Sequence, residues 1–250
     1  MSININLVLY LTSTYPSVQK FKEIVEKCDS IVDLFEIGVP TLNPKYDGPT
    51  VRMTYREAEL LGVKALEVIC DLNIKRNFII MTYLEDYLHD FEHFVNFVKS
   101  LGARSILLPD LLFDFYHYVD SYVKLCERYG MEPTFFISSK FPYKIVRKLL
   151  TYSPYFIYLG LQASSGIKLP LIVERNVKIM RELIGDSCRL YVGFAIRDVE
   201  EIKILRELGV HGVVIGSSFI KLLKDYGLIR ALNFLKELKR SLSDNYECSN

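Results

Sequence analysis

The chain has 250 residues, 50% hydrophobic and 24% charged, a composition that fits a compact protein with one large core. Its 31 basic and 30 acidic side chains nearly cancel and no long basic run occurs, which argues against an electrostatic nucleic-acid binder. No apolar run approaches the ~20 residues needed to span a bilayer. The widely scattered Cys28, Cys70, Cys126, Cys188 and Cys248 form no CxxC pair and read as reduced thiols of a cytoplasmic protein.

Short apolar runs alternate with longer helix-patterned segments from end to end. The predicted strands are Asn6–Leu11, Ile31–Ile37, Phe78–Tyr83, Ser105–Leu108, Pro133–Ile137, Phe156–Leu161, Arg189–Phe194 and Gly212–Ile215. Helical periodicity falls near 18–27, 55–67, 88–101, 114–129, 141–151, 170–184, 198–208 and 218–225, with a final helix near 227–241. Runs that are apolar on both faces suit parallel strands covered by helices. Eight such units in a chain of this size predict a closed α/β fold, the (β/α)8 TIM barrel, over an open doubly wound sheet. Gly102, Gly130, Gly185 and Gly209 each stand between a helical run and a strand, where C-terminal caps belong. No composition break marks a linker, so residues 1–250 are expected to form one domain, with a polar tail after about residue 242 that frays. The first strand begins almost at once, leaving little room for an N-terminal helix plugging the barrel.

Residues 31–50 carry the strongest chemical signal. An apolar strand delivers Glu36 at its C-terminal end, and a loop rich in Gly, Pro and Asn then brings Asp47. An unpaired charge in a buried strand is costly or shifts its pKa toward neutrality. Two such carboxylates suit acid/base chemistry. The plainer alternative is a salt-bridged strand-end Glu and a turn-forming Asp-Gly.

His89-Asp90-Phe91-Glu92-His93 matches the H-x-x-E-H pattern of one zinc-peptidase class. Helical spacing turns both histidines away from the apolar stripe of Phe91, Phe94, Val95 and Val98, toward solvent, so no metal site is expected. Near the other end, an apolar strand stops at Gly216 and Ser217 opens a helix. Glycine lets a phosphate approach the backbone, and a helix N-terminus offers free N–H groups. The loops after strands six and seven, carrying Ser164-Ser165-Gly166 and Gly193-Phe194-Ala195, are neighbours of this turn in a barrel and can converge with it on one dianion.

In order and spacing, these residues resemble the α subunit of tryptophan synthase along nearly the whole chain. Phe35-Glu36-Ile37-Gly38-Val39-Pro40 followed by Pro44-Lys45-Tyr46-Asp47-Gly48-Pro49-Thr50 is similar to that family's signature around its catalytic carboxylates. Met81-Thr82-Tyr83, Leu107-Leu108-Pro109-Asp110 and Ile215-Gly216-Ser217 fall where related segments occur. The chain departs from the family at Leu42-Asn43, at Arg52, at Ala195 and in Leu161-Gln162-Ala163-Ser164-Ser165-Gly166, which lacks the usual Arg and Thr of the flexible loop.

The resemblance implies a carbon–carbon lyase that cleaves indole-3-glycerol phosphate to indole and glyceraldehyde 3-phosphate in tryptophan biosynthesis. Glu36 would carry the acid/base traffic, Asp47 would accept the indole N–H, and Tyr158 would orient Glu36 or the glycerol. Tyr10, Tyr83, Leu107 and Phe194 are the candidate indole pocket. The backbone N–H groups of Gly166, Ala195, Gly216 and Ser217 are the candidate phosphate site. The α reaction needs neither metal nor pyridoxal phosphate, which in the family belongs to the β subunit, the expected partner. No nucleic-acid or membrane partner is expected. Two other readings stay open: a non-catalytic phosphate-binding barrel serving as a regulatory subunit, and another phosphosugar lyase or isomerase on the same scaffold.

Overall fold

The structure, a computed structural model, describes residues 5–161, 171–193 and 199–243. The expected fraying tail lies mostly outside these residues. Eight parallel strands follow the chain: β1 (Asn6–Thr12), β2 (Leu34–Gly38), β3 (Asn77–Met81), β4 (Ser105–Leu107), β5 (Thr134–Ser138), β6 (Phe156–Gly160), β7 (Leu190–Gly193) and β8 (Gly212–Ile215). Helices α1 (Val18–Cys28), α2 (Pro49–Glu57), α3 (Gly62–Glu67), α4 (Phe91–Ser100), α5 (Val119–Arg128), α6 (Tyr143–Leu150), α7 (Leu171–Ile184), α8 (Val199–Glu207), α9 (Ser217–Tyr226) and α10 (Leu228–Ser243) alternate with them. The expected (β/α)8 barrel is observed.

The strands hydrogen-bond in the order β4-β3-β2-β1-β8-β7-β6-β5, so the first and last strands in the chain are joined and one seam remains between β4 and β5. Side chains close that seam. The Tyr122 hydroxyl, from α5, donates to the Ile106 carbonyl at 2.6 Å and accepts from the Thr134 amide at 3.0 Å. Beside it, Thr134 Oγ1 donates to Ile106 O at 3.0 Å. A buried phenol thus replaces part of a backbone ladder and leaves those polar groups satisfied.

Alternation along each strand divides the apolar residues into two cores. Leu7, Leu9 and Leu11 of β1 and Phe35 and Ile37 of β2 face outward and pack beneath the helices. The helices meet them with stripes at i, i+3, i+4 and i+7, such as Phe21, Ile24, Val25 and Cys28 of α1. Val8, Tyr10, Leu34, Ile79, Met81, Leu107, Phe156, Tyr191 and Val214 form a separate interior core. Gly102, Gly130, Gly185 and Gly209 adopt φ of +88°, +61°, +56° and +69°, the left-handed conformation expected of helix-ending glycines.

One expected element is different. The helix anticipated near 55–67 is two helices: α2, which starts earlier with Pro49 at its first turn, and α3. Segment 58–61 is pulled out of helical geometry by the loop after β1. The Leu60 amide donates to Thr14 Oγ1 at 3.1 Å, Thr14 Oγ1 donates to Leu60 O at 3.2 Å, and the Glu59 amide donates to Thr14 O at 3.2 Å. The consequence for function is the placement of Tyr55, because α2 lies across the barrel mouth.

Candidate active site

The carboxyl-terminal ends of the strands assemble the site. β2 carries Glu36 into the barrel, paired in register with Tyr10 of β1 on one side and Ile79 of β3 on the other. Glu36 is only 3% exposed, and its Oε2 has no hydrogen-bond partner among the described residues. Burial, reinforced by the nearby charge of Asp47, pushes its pKa up to about 8. No cation answers it with a salt bridge among the described residues, so the plainer alternative for Glu36 fails. A carboxyl with this poise holds a proton at neutral pH and can still release it.

Asp47 reaches the same mouth from the loop after β2. Burial raises its pKa to about 6, against the opposing pull of the Tyr83 hydroxyl, the Arg52 charge and the Tyr55 hydroxyl. Tyr83, just past β3 and fully buried, donates to Asp47 Oδ2 at 2.8 Å and accepts from the Tyr46 amide at 2.9 Å. One phenol thereby fixes both the carboxylate and the loop that carries it. The loop is also clasped from outside. Lys45 pairs with Glu85 at 2.8 Å and Asp114 at 3.1 Å, and Tyr46 donates to Asp114 at 2.7 Å while stacking on Phe113. The buried Asp110 accepts from the amides of Leu84 and Glu85, so the loops after β3 and β4 are joined as well.

Tyr158, inside β6, is half-buried and packs against Phe136, ring centroids 5.4 Å apart. Burial, then the charges of Glu36 and Asp47, lifts its pKa well above the phenol value, so it stays protonated. Room for its ring comes from Gly193 opposite: a Cβ there would sit 1.8 Å from the Tyr158 hydroxyl oxygen. Tyr10 is accommodated in the same way by Gly38, where a Cβ would lie 2.4 Å from its hydroxyl.

Tyr10, Tyr83 and Leu107 share one buried cluster, with Met81 and Tyr55 as members and Val51 and Tyr158 packed against it. Three of the four expected indole-pocket residues are therefore together; Phe194 lies outside the described residues. At the expected phosphate side, Gly216 caps α9 and Ser217 begins it, both partly open, at the helix end where the first amides lack intrahelical partners. Gly166 and Ala195 lie outside the described residues. Tyr55 and Met81 were missed by sequence reasoning. Met81 carried an inward strand position as its signal, whereas Tyr55 carried none while 55–67 read as one helix. The histidines of the H-x-x-E-H pattern are solvent-facing: His93 pairs with Asp90, and Glu92 is held by Arg128 and Tyr129. No cluster of metal-ligating side chains occurs among the described residues.

Known proteins agree with this architecture. The family model described as tryptophan synthase alpha chain matches residues 3–247. The chain is 30% identical to the tryptophan synthase alpha chain of Saccharolobus solfataricus, over 96% of this chain and 98% of that one. It is 31% identical to that of Sulfurisphaera tokodaii, with the same coverages of 96% and 98%. In three dimensions it is similar to the tryptophan synthase α-subunit of Pyrococcus furiosus, with a TM-score of 0.84 at 22% identity, covering 97% of this chain and 99% of the other. Nearly full-length matches of this kind leave no part of the barrel unaccounted for, and the chain belongs to the tryptophan synthase alpha chain family, whose place is in tryptophan biosynthesis.

Proposed function

We propose that this protein cleaves indole-3-glycerol phosphate to indole and glyceraldehyde 3-phosphate, with Glu36 as acid and base and Asp47 as the charge that steadies the ring. The observation that carries the reading is the pair itself: a buried, unpaired Glu36 with pKa near 8 facing an Asp47 with pKa near 6. Between those values one carboxyl holds a proton while the other is charged. Breaking the bond to indole C3 requires that carbon to be protonated, which turns the ring into an electron sink. Glu36 donates that proton. Positive charge then develops at the ring nitrogen, where Asp47 accepts the N–H and stabilises it. The Glu36 carboxylate next takes the proton of the glycerol hydroxyl beside the bond, the carbon–carbon bond breaks, and Glu36 ends protonated as it began. Tyr158, a protonated donor, orients the glycerol or Glu36. This sequence moves protons and one bond pair only, and calls on no metal or pyridoxal phosphate.

The ring lies among Tyr10, Tyr83, Leu107 and Met81, with Phe194 as a further wall. The phosphate rests on the amides of Gly216 and Ser217, with Gly166 and Ala195 contributing from the neighbouring loops. A β subunit that consumes indole docks on the open face. Leu42, 88% exposed, with Phe113, Tyr116 and Tyr143 gives that rim an apolar surface in support of this. The test is steady-state indole release from indole-3-glycerol phosphate against β-subunit concentration. Release that rises with the partner is expected. No release under any condition would favour a regulatory barrel, and a response flat to the partner would leave a stand-alone lyase.

A further inference from the structure

Asp114 lies in the loop after β4 and has no part in the steps above, yet both residues just before Asp47 close on it. Tyr46 donates its hydroxyl to Asp114 Oδ1 at 2.7 Å, and Lys45 Nζ donates to Asp114 Oδ2 at 3.1 Å. Each carboxylate oxygen therefore takes one of the two neighbours. The seat of Asp114 is itself fixed. Its amide donates to the Asp110 carbonyl at 2.8 Å, and the Asp110 carboxylate accepts from the amides of Leu84 and Glu85. Lys45 also pairs with Glu85 at 2.8 Å, so its ammonium bridges the loops after β3 and β4.

From Asp114 the contacts run inward without a gap. The Tyr46 ring stacks on Phe113 and on Tyr83, with centroids 5.0 Å and 6.4 Å away. Its amide donates to the Tyr83 hydroxyl at 2.9 Å, and that hydroxyl donates to Asp47 Oδ2 at 2.8 Å. Tyr46 thus reaches Asp114 through its side chain and Asp47 through its backbone. α2 adds a further hold, Arg52 Nη2 donating to Lys45 O at 2.9 Å. Exposed ion pairs add little to global stability. Three charge-assisted contacts on two consecutive residues instead restrict where the next residue can sit.

We propose that Asp114 is a positioning residue: by holding Lys45 and Tyr46 it sets the Asp47 carboxylate where the substrate's ring N–H arrives. The inference rests on the role given to Asp47 above. Asp114 touches neither substrate nor reacting atoms; it acts only through the loop that carries Asp47. A small displacement of a charge that must meet one N–H costs rate steeply, whereas the barrel beneath is unaffected.

The test titrates indole and benzofuran, its analogue with oxygen in place of N–H, into wild type, Asp114→Ala and Asp114→Asn, alongside kcat and KM for indole release. Wild type should prefer indole, because only indole offers a proton to Asp47. Asp114→Ala should lose most of that preference while benzofuran and glycerol phosphate bind as before. Its kcat should fall about tenfold, with a smaller change in KM. Asp114→Asn keeps an oxygen for the Tyr46 hydroxyl and should recover part of both losses. Asp120 is a matched control: it accepts from the Tyr152 hydroxyl and faces Lys148 at 3.9 Å, joining α5 to α6 rather than to the loop that carries Asp47. Asp120→Ala should leave preference and turnover at wild-type values. In an Asp47→Ala background, Asp114→Ala should have no further effect on indole affinity, because its effect passes through Asp47. Three results overturn the proposal: an indole preference equal in Asp114→Ala and wild type, an equal weakening of indole and benzofuran, or a further loss in the Asp47→Ala background. A wild type that binds indole and benzofuran alike takes away the role of Asp47 and the proposal with it. A wild type whose indole preference depends on Asp114 but which releases no indole keeps the clasp and overturns the functional reading instead.

Discussion

The barrel interior has two ends built on opposite terms. At the lower end, Phe156 stacks on Tyr191 with centroids 4.2 Å apart and planes 5° from parallel, among Val8, Leu34 and Ile79. The Tyr191 hydroxyl accepts from Asn6 at 2.5 Å. A cleft of about 480 Å³ opens beneath it, but its acids are spoken for: Glu132 by Arg104 and Asp186 by Arg181. At the upper end the same strands present Glu36 with an unpartnered oxygen, Asp47 with a raised pKa, and tyrosines whose hydroxyls are only partly used. A buried carboxyl without a cation is tolerated only where the surrounding frame enforces it. The lower end supplies that frame, and reactivity is kept at the end it holds in place.

The contrast is broken most severely from below. Phe156→Ala removes a fully packed ring from the lower layer and should cost about 3–5 kcal/mol of stability. Chemical denaturation reads the loss, and activity per folded molecule should fall far less than stability suggests. If the variant instead unfolds at the wild-type midpoint, the lower layer is not the frame.

Glu36→Gln tests the upper end with the opposite signature. Turnover should drop by at least ~10²-fold, the low end for general acid–base catalysis, with a smaller change in substrate affinity. Stability should respond in the other direction as pH rises. The folded-state pKa of Glu36 is raised from 4.5 to about 8, so between these values the folded protein binds a proton that the unfolded chain has released. Stability therefore falls as pH climbs through that window, by an amount on the order of 5 kcal/mol if the charge is never relieved. Gln has no such proton, so the stability of the variant relative to wild type should climb between about pH 5 and pH 9. Wild-type kcat/KM should also be bell-shaped, with an acidic limb near 6 from Asp47 and a basic limb near 8 from Glu36. Parallel stability curves for the two proteins would show Glu36 to be solvated rather than buried.

Gly193→Ala strikes at the spacing between large and small residues that makes the upper end roomy. Its Cβ would sit 1.8 Å from the Tyr158 hydroxyl oxygen, and Phe136 stands beside that ring. The cost should be about 1–3 kcal/mol of overpacking, with turnover reduced because Tyr158 is displaced. Thermal unfolding and indole release read the two effects, and an unchanged turnover would remove Tyr158 from the reaction.

How much of this was legible in the sequence follows the range of the forces involved. Apolar runs such as Leu7–Leu11 and helix-ending Gly102, Gly130, Gly185 and Gly209 encode strand, helix and boundary locally, so the barrel was readable. Glu36 stood out because it interrupts an apolar strand, and Asp47 because it follows within the same unit. The helix break at 58–61 was not readable, because it depends on Thr14 bonding to Leu60 from a loop remote in sequence. Tyr55 was lost with it, since only the early start of α2 at Pro49 brings that ring over the mouth. The closure of the β4–β5 seam by Tyr122 is similar: an inward helix position reads as ordinary core until its hydroxyl is seen between two strands.

The gentlest probe sits where the proposed indole wall meets the proposed phosphate site. Gly216 caps α9 next to Tyr10, and a Cβ there would come within 3.2 Å of the Tyr10 Cβ and Cδ1. Tyr10 cannot swing away freely, because its hydroxyl is held by Tyr55 at 3.1 Å and Thr12 at 3.2 Å. Gly216→Ala should therefore press on the proposed indole wall while also crowding the amides proposed to receive the phosphate. Cooperative folding should persist, because residue 216 lies outside both cores. Glycerol phosphate affinity should fall by up to about tenfold, equivalent to ~1.4 kcal/mol, and indole affinity should fall with it by a smaller factor. Calorimetric titration of each ligand separately makes the comparison. If indole binding weakens while glycerol phosphate binds as before, Gly216 supports Tyr10 only and the phosphate site must be sought on the other loops.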